Sequence, residues 1–337
     1  MAHRHAVSGG DFLKVVSAGY MPIDVIVPYN AVPSRAVGGT AANVPLILAH
    51  FGWEASLAGQ TGDDLLADEY EGEVRAAGAS TSLLRRAAGA ETARLLHRVD
   101  ADGHSYGYTC PRCHQRFPRS RPLTLELARV VADSEPNPVV YFFDRVNAAT
   151  VWLAEHYADT GAVVAFEPSL ATGGELFRRA CEAASLIKHS KEFDLPIPKT
   201  PPRSRPEQVS VITDGAAGLS YRIGTSPEKH LPAIPTLAVD TAGAGDWITA
   251  SLLAATCSAN GLDKQYVDEG LRRGQALAAM CCTLVGARAL SGVPIRMLNR
   301  RIDEVLASNY VDAPPKVTAR PATEPRPGRC ATCLLAT

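Results

Sequence analysis

The sequence predicts an α/β fold, a mostly parallel sheet flanked by helices, and two observations predict it. Short β-rich runs alternate with longer helical patterns along most of the 337 residues, the arrangement that places helices on both faces of a parallel sheet. The apolar content of 46% with 20% charged residues is that of an ordinary globular enzyme, and the length suffices for one large α/β domain. In chain order, strands are expected at 14–17, 55–58, 139–143, 162–166, 185–188 and 209–213. Helices are expected at 41–51, 65–77, 123–132, 148–159, 174–184, 244–258, 264–284 and 296–308. Segments 24–27 and 93–108, the latter turning at Asp102-Gly103, depart from the alternation and read as additional strands. Segment 194–207 is dense in Pro and Arg; proline lacks the amide a helix needs, so a surface loop is expected there. Active sites of such folds lie at the carboxyl ends of the strands.

Charge and cysteine usage narrow the class. A formal net charge of −1 gives no electrostatic reason to expect nucleic acid or a membrane surface. No run of about 18 or more uninterrupted apolar residues occurs, and residues 1–10 lack the apolar core of a secretory signal, so a cytoplasmic protein is expected. Eight cysteines are too few for a dense disulfide framework; in a reducing compartment, closely spaced ones point to metal.

The most informative run is Asp240-Thr241-Ala242-Gly243-Ala244-Gly245-Asp246, which opens onto an apolar helical stretch. Small residues let the backbone approach an anion, and the unpaired amides of a helix start point at it. Asp246 then falls in the first turn, where it can take a proton from an attacking hydroxyl. Plain turn chemistry is the competing reading of this run taken alone. A second segment, Gly38-Gly39-Thr40-Ala41-Ala42-Asn43, precedes another helical run.

Together the two segments resemble the signatures of the ribokinase-like (PfkB) family of sugar and nucleoside kinases, in the family's order and separation. The resemblance extends to Val209–Gly218 and to Leu186–Glu192, where His189 stands in place of the Asn of the family's N-x-x-E, and to 278–287. It implies a ribokinase-like domain over 1–310 with a small β lid near 20–37 and 92–121, followed by a Pro-rich tail, 311–337. It further implies ATP-dependent phosphoryl transfer to a hydroxyl of a sugar, nucleoside or related polyol, with Asp246 as base and 242–245 (Ala242, Gly243, Ala244, Gly245) as the anion hole. Asp24, Gly38, Gly39 and Asn43 would hold the acceptor; Thr213, Gly215, Thr241 and Gly286 would meet the nucleotide. Glu192, with His189, would attend magnesium bound with ATP. A monovalent cation near 278–287 and a homodimer formed through lid strands belong to the same implication. A binding-only regulator or assembly partner is the rival reading, kept open by His189 and by the lost helix at 194–207.

Two further motifs stand apart from this resemblance. Cys110-Pro111-Arg112-Cys113 has the form of a zinc knuckle, and the chain ends with a second pair, Cys330-Ala331-Thr332-Cys333. Four such thiolates suit a tetrahedral structural zinc, with the Pro-rich 311–328 as an extended strap carrying the tail to the lid. A chance pair in a disordered tail, or pairs meeting across a dimer, are the alternatives. Cys181, Cys257, Cys281 and Cys282 lie in apolar helical contexts and read as small buried hydrophobes.

Overall fold

The computed structural model describes residues 13–28, 32–100, 103–170, 173–311 and Cys330. The first strands and helices are β1 (Lys14–Ala18), β2 (Ile23–Pro28), β3 (Ser34–Val37), α1 (Thr40–His50), β4 (Glu54–Thr61), α2 (Leu65–Ala76), β5 (Leu84–Arg86), β6 (Arg94–Asp100) and β7 (Gly103–Gly107). The middle of the chain gives α3 (Leu125–Ser134), β8 (Val140–Phe143), α4 (Ala148–Asp159), β9 (Val163–Phe166), α5 (Gly174–Ala183), β10 (Leu186–Ser190) and β11 (Val209–Thr213). The last part holds β12 (Leu219–Ile223), β13 (Lys229–Leu231), α6 (Ala244–Thr256), α7 (Val267–Cys282) and α8 (Ile295–Ser308).

A nine-stranded sheet runs in the order β13-β12-β11-β10-β9-β8-β1-β4-β5, parallel except where β12 and β13 turn back along one edge. Its central strands β8 and β9 read as unbroken apolar runs because both faces are covered. Val15 of β1 packs on one side with α1, α2, α6, α7 and α8, and its neighbour Val16 packs on the other with α3, α4 and α5. The same alternation sends Val140 and Phe142 of β8 to the first side and Tyr141 and Phe143 to the second. Phe143 is fully buried there, its ring centroid 5.4 Å from that of Tyr141 and 4.5 Å from that of Phe166.

The predicted strands and helices coincide with observed ones to within a few residues, and 194–207 forms no helix or strand. Strands β3, β5, β12 and β13 were not anticipated. The predicted helix 264–284 starts with a short 3₁₀ turn, Lys264–Tyr266, before α7. Asp102 of the expected turn, 312–329 and 331–337 lie outside the described residues. No described helix is long and apolar enough to cross a membrane.

A second, four-stranded sheet, β3-β2-β6-β7, forms from the extra strands. Its central pair is parallel, with Val25 opposite Leu96 and Ile26 opposite His97.

Helix α1 carries Pro45 in its interior. Proline has no amide to give the carbonyl four residues back; the hydroxyl of Ser17 on β1 donates to that carbonyl, Ala41 O, at 2.5 Å. The substitution therefore ties the helix to the central strand.

Truncating Phe143 to Ala removes an aromatic ring from a site that cannot collapse and should cost about 3–5 kcal/mol. Leu125→Ala, at a half-exposed position of α3, should stay within about 0.5 kcal/mol. Urea unfolding of the two variants, read as midpoint shifts at constant slope, checks the contrast.

Candidate functional site

Helices α1 and α6 meet at their amino ends, and this junction brings the two predicted motifs together. Asp246 is the third residue of α6 and is buried. Asn43, in the first turns of α1, donates from Nδ2 to Asp246 Oδ2 at 2.7 Å, across 203 positions of sequence. The Asn43 Oδ1 accepts from Arg288 Nε at 3.0 Å, so both ends of the amide are used. Arg288 Nη2 in turn donates to Val37 O and to Glu73 Oε1, each at 2.6 Å, and the backbone amide of Val37 donates to Glu73 Oε2 at 2.9 Å. The hydroxyl of Thr40 also bonds to Asp246.

The turn ahead of α6 is shaped by Gly243. It sits at φ 78°, and a Cβ there would lie 2.3 Å from the carbonyl oxygen of Ala287, so only glycine fits. Among the described residues, the amides of Gly243, Gly245 and Asp246 make no hydrogen bond. Such unpaired helix-start amides form an anion cradle. A cation stands beside them: a Cβ on Gly245 would lie 3.1 Å from Lys188 Nζ. Lys188 of β10 is buried and paired with Glu167, the residue after β9, whose second oxygen accepts from the Thr249 hydroxyl at 2.6 Å.

Burial dominates the electrostatics of the carboxyls. It pushes Asp246 up to about 7, with Glu167 adding to the rise and Asn43, Lys188 and Thr40 opposing it. Asp24, on β2, is likewise pushed up to about 7 by burial, against the pull of His97 and Arg288. Its Oδ1 is buried and has no hydrogen-bond partner. Gly38 makes room for this group, since a Cβ at that position would overlap the Asp24 carboxylate at 2.1 Å. A buried, unsatisfied carboxylate oxygen carries a desolvation cost that a ligand hydroxyl would relieve.

Asp240 follows the opposite course. Burial pushes its carboxyl up, but hydrogen bonds from His97 (Nε2, 3.2 Å) and from the amides of Gly286 (2.8 Å) and Ala242 (3.0 Å) outweigh burial and leave it below the usual range. The amide of Gly286, expected at the nucleotide, is thus committed to Asp240. The Thr241 hydroxyl and His104 Nδ1 share a bond of 2.8 Å, and Tyr106 stands beside both histidines at ring distances near 5 Å. The small sheet therefore touches the 240–246 turn through His97 and His104.

His189 is half-buried, and burial holds its imidazole below the ordinary value, so the ring is neutral at neutral pH. Its Nδ1 lies 3.0 Å from the carbonyl of Ser190, which only accepts, so Nδ1 carries the proton and Nε2 presents a lone pair. Glu192 is exposed and near enough to His104 to act on it electrostatically. Thr213 ends β11 beside His189, donating to its carbonyl at 3.4 Å, and Gly215 begins the following 3₁₀ turn. Cys110, Cys113 and Cys330 cluster on the small sheet, away from this junction, while Cys333 lies outside the described residues.

Sequence reasoning missed Arg288, Lys188, Glu167, Glu73, His97 and His104. Glu167 did leave a signal, a charged residue directly after the wholly apolar strand β9, whereas Lys188 stands in the middle of β10 between Ile187 and His189.

A family model described as pfkB family carbohydrate kinase matches residues 13–111 and 175–295. The ATP-dependent ribose-1-phosphate kinase of Halopiger xanaduensis is 24% identical over 304 residues, covering 82% of this chain and 94% of the relative. Two solved structures share the fold at a TM-score of 0.65. One is the aminoimidazole riboside kinase of Salmonella enterica, complexed with aminoimidazole riboside and an ATP analogue (22% identity, 86% of this chain, 99% of that one). The other is the nucleoside kinase of Burkholderia thailandensis in complex with inosine (17% identity, 88% and 98%). The family match takes in the di-glycine segment, the 240–246 turn and Arg288, and the chain belongs to the pfkB family of carbohydrate kinases.

Proposed function

We propose that this kinase transfers the γ-phosphoryl group of ATP to a hydroxyl of a sugar or nucleoside, with Asp246 as the base. The observation that carries the reading is a buried carboxyl, pushed up to about 7, at the mouth of three unpaired helix-start amides. Asp246 takes the hydroxyl proton as the acceptor oxygen bonds to phosphorus and the bond to the leaving ADP oxygen breaks. Asn43 holds the carboxylate by one oxygen, and Arg288 fixes the Asn43 amide so that its donor faces Asp246. The amides of Gly243, Gly245 and Asp246, at the end of the Ala242–Gly245 turn, receive the charge that gathers on the transferring group. The Asp24 Oδ1 atom, buried without a partner beside Gly38, suits a second acceptor hydroxyl; Gly39 and Asn43, from the same segment, belong to the acceptor in this reading.

Magnesium bound with ATP would offset the charge of the phosphate oxygens. The residues present fit that group: Glu192 would offer it a carboxylate, and the His189 Nε2 lone pair would accept a hydrogen bond from its water shell where an Asn amide serves in other members. Thr213, at the carboxyl end of β11, and Gly215, in the turn that follows, border the nucleotide in this reading.

Asp246→Asn should lower kcat by about 10²–10⁴-fold, measured with ATP and magnesium across a panel of sugars and nucleosides. An unchanged rate on the preferred acceptor would assign the base elsewhere. In the unsubstituted enzyme, kcat/KM should rise with pH and level off above about 7, because only the ionised Asp246 accepts a proton.

The same carboxyl has a stability signature of defined sign. Its folded pKa lies above the ordinary 3.8, so the folded state binds more protons than the unfolded one between those values. Stability contributed by protonated Asp246 is present below about pH 4 and lost as pH rises through about 7. Asp246→Asn should therefore gain stability relative to the parent at pH 8 and not at pH 4, in urea unfolding at both values. Asp24→Asn should raise the acceptor KM about tenfold or more with the ATP KM unchanged, the loss of one charge-assisted hydrogen bond.

A further inference from the structure

The small sheet has two unlike faces, because neighbouring residues on a strand point to opposite sides. On β2, Asp24 faces the site beside Gly38, while Val25 faces away. On β6, His97 reaches Asp240, while Leu96 faces away. Val25 and Leu96 are opposite one another in the ladder, and they pack in an apolar cluster with Phe117, Cys110 and Cys330. The outer face of the sheet is thus covered by the chain itself: by the segment after β7 and by a residue from the far end of the chain.

Three sulfurs converge in that cover. Those of Cys110, Cys113 and Cys330 all lie within 4.8 Å of one another, and Cys110 and Cys330 are 3.9 Å apart. Two thiolates bound to one tetrahedral zinc at about 2.3 Å each are separated by about 3.8 Å. The first pair sits on a turn built for two sulfurs to point one way. Cys110 N donates to Gln115 O at 2.9 Å, His114 N donates to Cys110 O at 3.1 Å, and His114 adopts φ 58°, an unusual left-handed conformation for a residue with a side chain. The second pair repeats the spacing of the first, Cys330-x-x-Cys333.

From this convergence we infer that the chain binds one structural zinc ion through Cys110, Cys113 and Cys330, holding Cys330 against the outer face of the small sheet. Cys333 lies outside the described residues, and the repeated C-x-x-C spacing alone names it as the fourth thiolate. Four-thiolate sites also accept iron, and the identity of the metal is part of the inference. The site lies on the face turned away from Asp246 and serves no step of phosphoryl transfer.

The test is elemental analysis of the full-length protein purified under reducing conditions. One zinc per chain is expected, and Cys113→Ser and the double variant Cys330→Ser/Cys333→Ser should each lose it. A variant that fails to fold also loses metal, so the parent protein carries a second reading. Cobalt exchanged into it should give the intense sulfur-to-metal and ligand-field bands of a tetrahedral four-thiolate site. Zinc absent from the parent, iron in its place, zinc retained in the double tail variant, or a cobalt spectrum without thiolate bands each overturns the inference. Asp246→Asn should keep its zinc, so the result is read independently of the kinase reaction.

Discussion

A carboxylate kept out of water is the constraint around which the site is organised. Burying Asp246 raises the free energy of its charged form, and the neighbouring groups limit how far. Asn43 donates to it, Lys188 supplies positive charge, and Glu167 beside Lys188 keeps that charge from dominating. Removing the opposition would drive the carboxyl to remain protonated; strengthening it would hold a carboxylate too weakly basic to take a proton. The value of about 7 is reached by opposing influences: burial and Glu167 raise it, while Asn43, Lys188 and Thr40 lower it.

Asp24 and Asp240 show how the same fold sets neighbouring carboxyls apart. Asp24 is buried with one oxygen unsatisfied and is pushed up to about 7. Asp240 is as deeply placed, yet two backbone amides and His97 hold it ionised. The first is a group waiting for a partner; the second is a fixed anion that ties the small sheet, through His97, to the turn ahead of α6. Displacing that sheet would break the His97 and Thr241–His104 bonds at the turn that carries Asp246.

The large sheet was legible because a strand buried on both faces is a short unbroken apolar run, as in 140–143 and 163–166. Edge strands were not: β3 and β13 are short and carry polar or charged residues, and in β5 only Leu84 is buried. The two motifs of the site were legible because glycine at a close approach leaves few alternatives. Arg288 was not, because its meaning comes entirely from Asn43, 245 positions away, and from Glu73. His97 and His104 likewise read as ordinary strand residues until the small sheet is laid over Asp240. The clustering of Cys110, Cys113 and Cys330 agrees with one of the readings that the two C-x-x-C pairs left open, alongside a chance pair and a meeting across a dimer.

The Arg288–Asn43–Asp246 network also has a bearing on how the protein is made. It joins residues 203 to 251 positions apart, and its last member stands close to the end of the folded core. Contacts of such separation pay their loop-closure cost late and slow folding. On the ribosome, β1 through β11 are made before α6, and the Arg288–Asn43–Asp246 network has no partial form. A nascent chain interrupted between β13 and Arg288 has the strands of the large sheet but lacks the guanidinium that fixes the Asn43 amide facing Asp246.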